Sequence, residues 1–243
     1  MWRERNLPFG KGTSIQTACG QLPMNTIVVA PHPDDEVLGV GGTLLRRKAE
    51  GAKVAWLIVT SITAEAGWSE TKINLRADEI QRIKAAFGFD AVFELHFPTT
   101  QLDYIPMGEL VTAISNVFTA YEPEEVFVPH PADVHTDHSV VFNAVASCTK
   151  WFRHPSVKSV LAYETLSETD FGLGTGRGFR PNVFIDIGSF IDGKLRAMDV
   201  YASELGSVPF PRSHAAIRAL ATVRGAAAGY AAAEAFELLR ERR

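Results

Sequence analysis

This 243-residue sequence predicts an α/β fold, a single domain with a mostly parallel sheet covered by helices on both faces. Three observations carry that reading. Continuous apolar, β-branched runs, Thr26-Ile27-Val28-Val29-Ala30 and Val54 to Thr60, are the mark of strands buried on both faces. Stretches of helical periodicity alternate with them. The segments richest in His and Asp, 31–36 and 129–138, come directly after strands, where open α/β sheets bind their ligands.

The elements follow in order. Residues 1–24 show no period and carry Pro8, Gly10, Gly12 and Gly20. They read as an extension, or as a lid or oligomer arm, before a domain spanning 25–243. Val37 to Glu50 is a helix with Val37, Leu38, Leu44 and Leu45 as its stripe and Gly51 as its stop. After the second strand, residues 61–71 form a polar loop of functional length. Asn74 to Phe87 is an amphipathic helix ended by Gly88. Ala91 to Phe97 is the third strand, and Thr99 to Pro106 a loop carrying Asp103. A helix from Met107 to Tyr121 leads to the fourth strand, Glu125 to Val128. A helix from about Asp137 to Phe152 follows the histidine-rich loop. Val157 to Tyr163 and Val183 to Ile187 are further strands, and Glu168 to Pro181 between them reads as a mobile loop. Ser189 to Leu205 and Ser213 to Ala228 are helices. For Tyr230 to Arg243 the pattern leaves helix and extended strand both open.

Composition bounds the function. Twenty-four basic and 28 acidic residues give a net charge of −4, so no basic field draws the chain to nucleic acid or to an anionic membrane. No apolar run approaches the ~18 residues that span a bilayer, and the first twenty residues lack the apolar core of a signal peptide. The expectation is a cytoplasmic protein without a membrane partner. Cys19 and Cys148 are far apart and form no CxxC, which suits a reducing compartment and no structural disulfide. A homo-oligomer is compatible with the sequence but not readable from it.

The chemistry concentrates in Pro31-His32-Pro33-Asp34-Asp35-Glu36. One imidazole and three carboxylates lie within five residues where a buried strand runs out. Two prolines forbid that stretch from continuing as strand or helix. Packed carboxylates repel one another unless a positive charge neutralises them, and a divalent metal is the simplest candidate. A matching set exists in His135-Thr136-Asp137-His138. His32, Asp35 and His138 form a three-ligand site with an open position, as catalytic zinc requires; Fe²⁺ is the alternative ion. Such a metal lowers the pKa of its bound water from ~15.7 to ~7. Asp34 is the natural general base. His135, one turn before His138, would steady an oxyanion or protonate a leaving group, and Asp137 would hold an imidazole in its tautomer. Glu36 reads either as a support behind the metal ligands or as a partner of the helix dipole, with the dipole the preferred role. His130 could rival His138, but prolines on both sides favour a strand-ending role. His96, His154 and His214 have no partner by spacing. Gly39-Val40-Gly41-Gly42 invites comparison with a dinucleotide fingerprint, but Leu44 stands where Gly or Ala is needed and the glycines fall inside the helix. Close helix packing is their expected role.

At these motifs the chain resembles the PIG-L/LmbE family of metal-dependent N-acetylglucosaminyl deacetylases. Residues 31–36 match its first motif and residues 135–138 its His-x-Asp-His. Arg76 and Glu79 sit where the family has Arg-x-x-Glu. Asp103 follows the third strand as in the family, and Arg224-Gly225 to Phe236 is similar to its ending. The resemblance implies a Rossmann-like fold and removal of the N-acetyl group from an amino-sugar by a zinc-activated water. His32, Asp35 and His138 would be ligands, Asp34 the base, His135 its electrophilic or acid partner, and Arg76 and Asp103 substrate contacts. A tyrosine that some members carry before the second motif is replaced by Asp133-Val134. An amidase acting on a sugar-thiol conjugate, and a non-catalytic carbohydrate-binding protein, are the alternatives. The sugar itself is not legible.

Overall fold

Strands that are apolar at every position need cover on both faces, and this chain supplies it. The computed structural model describes residues 24–173 and 178–243. Strands β1 (Thr26–Ala30), β2 (Val54–Ser61), β3 (Ala91–Pro98), β4 (Glu125–Pro129), β5 (Ser159–Tyr163), β6 (Val183–Asp186) and β7 (Ala233–Glu241) form one sheet in the order β3-β2-β1-β4-β5-β7-β6. The first five run parallel; β7 is antiparallel to both β5 and β6. The closing stretch left open by periodicity is therefore a strand.

Helices α1 (Asp35–Ala49), α2 (Glu70–Phe87), α3 (Met107–Tyr121), α4 (Thr136–Cys148), α5 (Ile191–Met198) and α6 (His214–Ala228) cover the sheet. Successive residues of β1 divide between two cores, as the pleat demands. Val28 and Ala30 join Leu44, Trp56 and Ile83 on one side. Ile27 and Val29 join Leu57, Ile114 and Val145 on the other.

The chain runs from β1 outward to β3, then crosses back to lay β4 on the free side of β1. This reversal opens a crevice at the carboxyl ends of β1 and β4, the switch point where such sheets bind ligands. Thr26 pairs with Glu125 and Val28 with Phe127, so the two motif-bearing loops leave the sheet side by side.

Several boundaries differ from the sequence reading. Helix α2 begins at Glu70, because Ser69 accepts a hydrogen bond from Lys72 N at 3.4 Å and caps it. The stretch read as one helix over 189–205 breaks after Met198 into a 3-10 segment, Asp199–Glu204. That break buries Tyr201, whose hydroxyl donates to Glu36 at 2.8 Å. Helix α4 ends at Cys148 rather than near Phe152, and Trp151 and Phe152 are exposed. Residues 1–23, with Cys19, and residues 174–177 of the expected 168–181 loop lie outside the described residues. No helix among the described residues is long and apolar enough to cross a membrane.

The glycines of α1 serve packing. A Cβ on Gly39 would sit 2.2 Å from Tyr163 Cδ2, in clash with the ring, and that tyrosine is fully buried with its hydroxyl donating to Val29 O at 2.9 Å. Gly39→Ala is expected to cost about 1–3 kcal/mol by overpacking, read as a lowered denaturation midpoint at unchanged m-value. An unchanged midpoint would show that the Tyr163 ring can step aside.

Candidate metal centre

Pro31 ends β1 and is pinned to β2, its carbonyl accepting from Thr60 N at 3.0 Å and Thr60 Oγ1 at 2.8 Å. The chain then turns through His32 and Pro33 into α1. Asp34, at the N-cap, has φ 129° and ψ −28°, a conformation that L-residues rarely adopt. Such strain costs ~1–3 kcal/mol and persists only where surroundings over-determine it. Here Glu36 accepts from Asp34 N at 3.1 Å. Arg76 donates to Pro33 O at 3.0 Å, and Arg212 to Asp34 Oδ2 at 2.9 Å. Glu36 stands in the first turn of α1 and is fully buried between Asp34 N and Tyr201, where it also braces the turn. Burial first, then the charge of Asp34, pushes its carboxyl up to about 8.

The structure brings His32, Asp35 and His138 together, one ligand atom from each lying within 4.8 Å of the others. Asp35 Oδ2 lies 3.5 Å from His32 Nδ1 and 3.3 Å from His138 Nε2. The remote nitrogens are each held by a carboxylate, His32 Nε2 by Asp137 at 2.9 Å and His138 Nδ1 by Asp133 at 2.8 Å. This is how metal-binding imidazoles are oriented: one nitrogen gives its proton to a carboxylate and the other keeps its lone pair for the ion. Without an ion, the same carboxylates draw protons onto the rings. Burial opposes charge on both rings, yet the surrounding carboxylates raise His32 to about 9 and His138 to about 10. Burial also opposes charge on Asp35, but the two imidazoles hold it well below the usual carboxylate range. The cluster calls for positive charge, and a divalent cation would supply it in one particle.

A second grouping, His32, His135 and Asp137, meets the same distance test. Asp137 is already committed there, accepting from Thr100 N at 2.7 Å, Leu102 N at 3.2 Å and His32. It is fully buried, so its place is behind His32. His135 Nδ1 accepts from Asp137 N at 3.2 Å, which leaves the proton on Nε2. Burial and the neighbouring His32 and His138 charges lower its pKa to about 4.

Asp34 is buried and lines the cavity above the cluster. Burial, then the charge of Asp35, pushes its carboxyl up to about 7 against the pull of Arg212. The cavity holds about 610 Å³ and is also lined by His135, Arg76, Glu204 and Arg212. Arg76 lines it while bound to Glu204 at 2.7 Å. Asp103 is not brought to the site. Its turn is a 3-10 segment, Leu102–Tyr104, that points Leu102 inward and leaves Asp103 exposed, away from the cavity lining. His96 lines the cavity, a place its lack of a spaced partner did not suggest. His130 is buried 3.7 Å from Glu237, apart from the cluster.

Sequence reasoning missed Asp133, Glu204 and Arg212. For Asp133 a signal existed, an acid five residues before a ligand histidine in the same short loop. Asp133→Asn is expected to weaken metal affinity ~10–100-fold, measured by competition with a chelator. Unchanged affinity would remove Asp133 from the orientation of His138.

The family model described as PIG-L: GlcNAc-PI de-N-acetylase matches residues 27–149. Diacetylchitobiose deacetylase of Thermococcus kodakarensis is 25% identical over 217 residues, 86% of this chain and 80% of that protein. The crystal structure of the conserved protein TT1542 from Thermus thermophilus superposes with a TM-score of 0.73 at 28% identity, covering 90% of this chain and 96% of the other. The 4-carboxy-2-hydroxymuconate hydratase of Pseudomonas putida KT2440 shares the fold, with a TM-score of 0.68 at 19% identity over 90% of this chain and 98% of that one.

Proposed function

Because the chain belongs to the PIG-L family, we propose that it is a metal-dependent hydrolase that removes the N-acetyl group from an N-acetylglucosamine-type amino-sugar. The observation that carries this reading is the convergence of His32, Asp35 and His138, each imidazole backed by its own carboxylate, beneath a cavity that Asp34 and His135 also line. His32, Asp35 and His138 would hold a divalent ion, zinc in our reading with Fe²⁺ second, which would supply Lewis acidity able to bring water near pKa ~7 and to polarise a carbonyl.

The chain's own groups do the rest. Asp34 takes the proton of the attacking water and passes it to the departing amine nitrogen, which must leave protonated. His135, neutral with Nε2 protonated, donates a hydrogen bond to the carbonyl oxygen as negative charge gathers there. That assigns the oxyanion to His135 where some relatives use a tyrosine. Asp137 and Asp133 hold the two ligand imidazoles. Arg212 favours the charged form of Asp34 against burial and Asp35, and Arg76 braces the loop from Pro33. The protein works in the cytoplasm on a small-molecule substrate.

The test is metal content of the purified protein together with primary-amine release from acetylated amino-sugars. Retained zinc or iron with chelator-sensitive amine release is expected. Failure to retain any transition metal, or metal-loaded protein that frees no amine from any such sugar, would remove this assignment.

A further inference from the structure

The cavity continues past the metal cluster, from the β1–β4 crevice across the carboxyl ends of β2 and β3. There Ile62, Trp68, Ile73, Ala77 and Ile80 line it. They come from the β2–α2 connection and from α2 as far as Ile80, and the mechanism above gives them no part. The wall grades from a rim, where Trp68 is 37% exposed, to the core, where Ile80 is 7% exposed.

The charge of the lining points the same way. Among the described residues, six carboxylates line the cavity, Glu70 and Glu94 on this side among them, against the two guanidiniums of Arg76 and Arg212. Both guanidiniums are committed. Arg76 donates to Pro33 O and Glu204, and Arg212 to Asp34, Glu204 and Ser167. Even with a dication in place the described lining carries more carboxylates than cations can offset. A phosphate or carboxylate on the substrate would enter against that field and find, among the described residues that line the cavity, no uncommitted guanidinium, whereas an apolar group would meet aliphatic and aromatic surface.

We propose that this arm of the cavity is an aglycone subsite, and that the substrate is an acetylated amino-sugar carrying an uncharged apolar aglycone rather than a free sugar or a sugar phosphate. The proposal rests on the deacetylase reading of the site.

The test supplies metal-loaded protein with N-acetylglucosamine, its phenyl and hexyl glycosides in both anomers, and N-acetylglucosamine 1-phosphate. At least one apolar glycoside is expected to show a KM about 10-fold or more below that of the free sugar, with the 1-phosphate above it. Ile73→Gln, at a half-buried position, and Trp68→Ser, on the exposed connection, are each expected to remove most of that gap. Equal KM for glycoside and free sugar, preference for the phosphate, or a gap untouched by both substitutions overturns the proposal. Should no compound release amine, the deacetylase reading falls by itself. Calorimetric titration of the same metal-loaded protein then decides the subsite. An apolar glycoside bound about 10-fold tighter than the free sugar supports it, and equal binding overturns it.

Discussion

Asp34→Asn is expected to lower kcat by about 10²–10⁴ while metal content stays at the wild-type level. The substitution keeps the size of the side chain and an oxygen that can accept from Arg212, and none of the three ligand atoms is altered. Amine release and metal analysis on the same preparation separate the two effects. A variant with normal turnover, or one that loses turnover and metal together, would take the base assignment away from Asp34. A pH profile adds a directional check. A general base must be charged, so activity falls as pH drops through the pKa of Asp34, raised to about 7 by burial and by Asp35 and held from rising further by Arg212. Arg212→Met removes that restraint and moves the acid limb to higher pH. A bound dication lowers the limb in wild type and variant alike, so the sign of the difference stands.

Lys194→Met is expected to be the most damaging change away from the chemistry. Lys194 and Glu234 are both about 5% exposed and pair at 2.6 Å. Lys194 also donates to Leu38 O at 2.7 Å, while Glu234 accepts from Gly42 N at 2.9 Å and Thr43 N at 2.7 Å. Removing the cation strands a buried carboxylate, which costs about 3–5 kcal/mol. For a domain of this size that lowers Tm by on the order of 10 °C. Lys194→Met combined with Glu234→Gln should recover part of the loss, since the stranded charge is gone and an amide oxygen can still accept from α1. A single variant melting with the wild type would mean the pair contributes nothing to stability.

What the sequence reveals here is what lies close together along the chain. The strand runs are legible because both of their faces are apolar, and the candidate ligand set is legible because each half follows a strand within a few residues. Asp34 and His135 are legible for the same reason. Arg212 is not, since it reaches Asp34 from 178 residues away through a segment without periodicity. Glu204 is hidden in the same way, because the break after Met198 that brings it to Arg76 comes from packing Tyr201 against Glu36. Asp103 misleads for the opposite reason. Its position after β3 is right for a ligand-facing loop, but the backbone of that loop is claimed by Asp137, and the side chain that turns inward is Leu102. The reversed direction of β7 is equally invisible to pattern, since a strand's alternation does not record the sense in which it pairs.

Strand β7 lies between β5 and β6 and delivers Glu234 to the helix that begins at the metal loop. During synthesis, then, the first motif leaves the ribosome about two hundred codons before the strand that secures its helix. The nascent chain would wait with an unanchored helix and an open sheet edge, a state exposed to aggregation. Competence for metal loading therefore follows the synthesis of β7, and a chain cut short before residue 233 would hold the first motif on an unsecured helix.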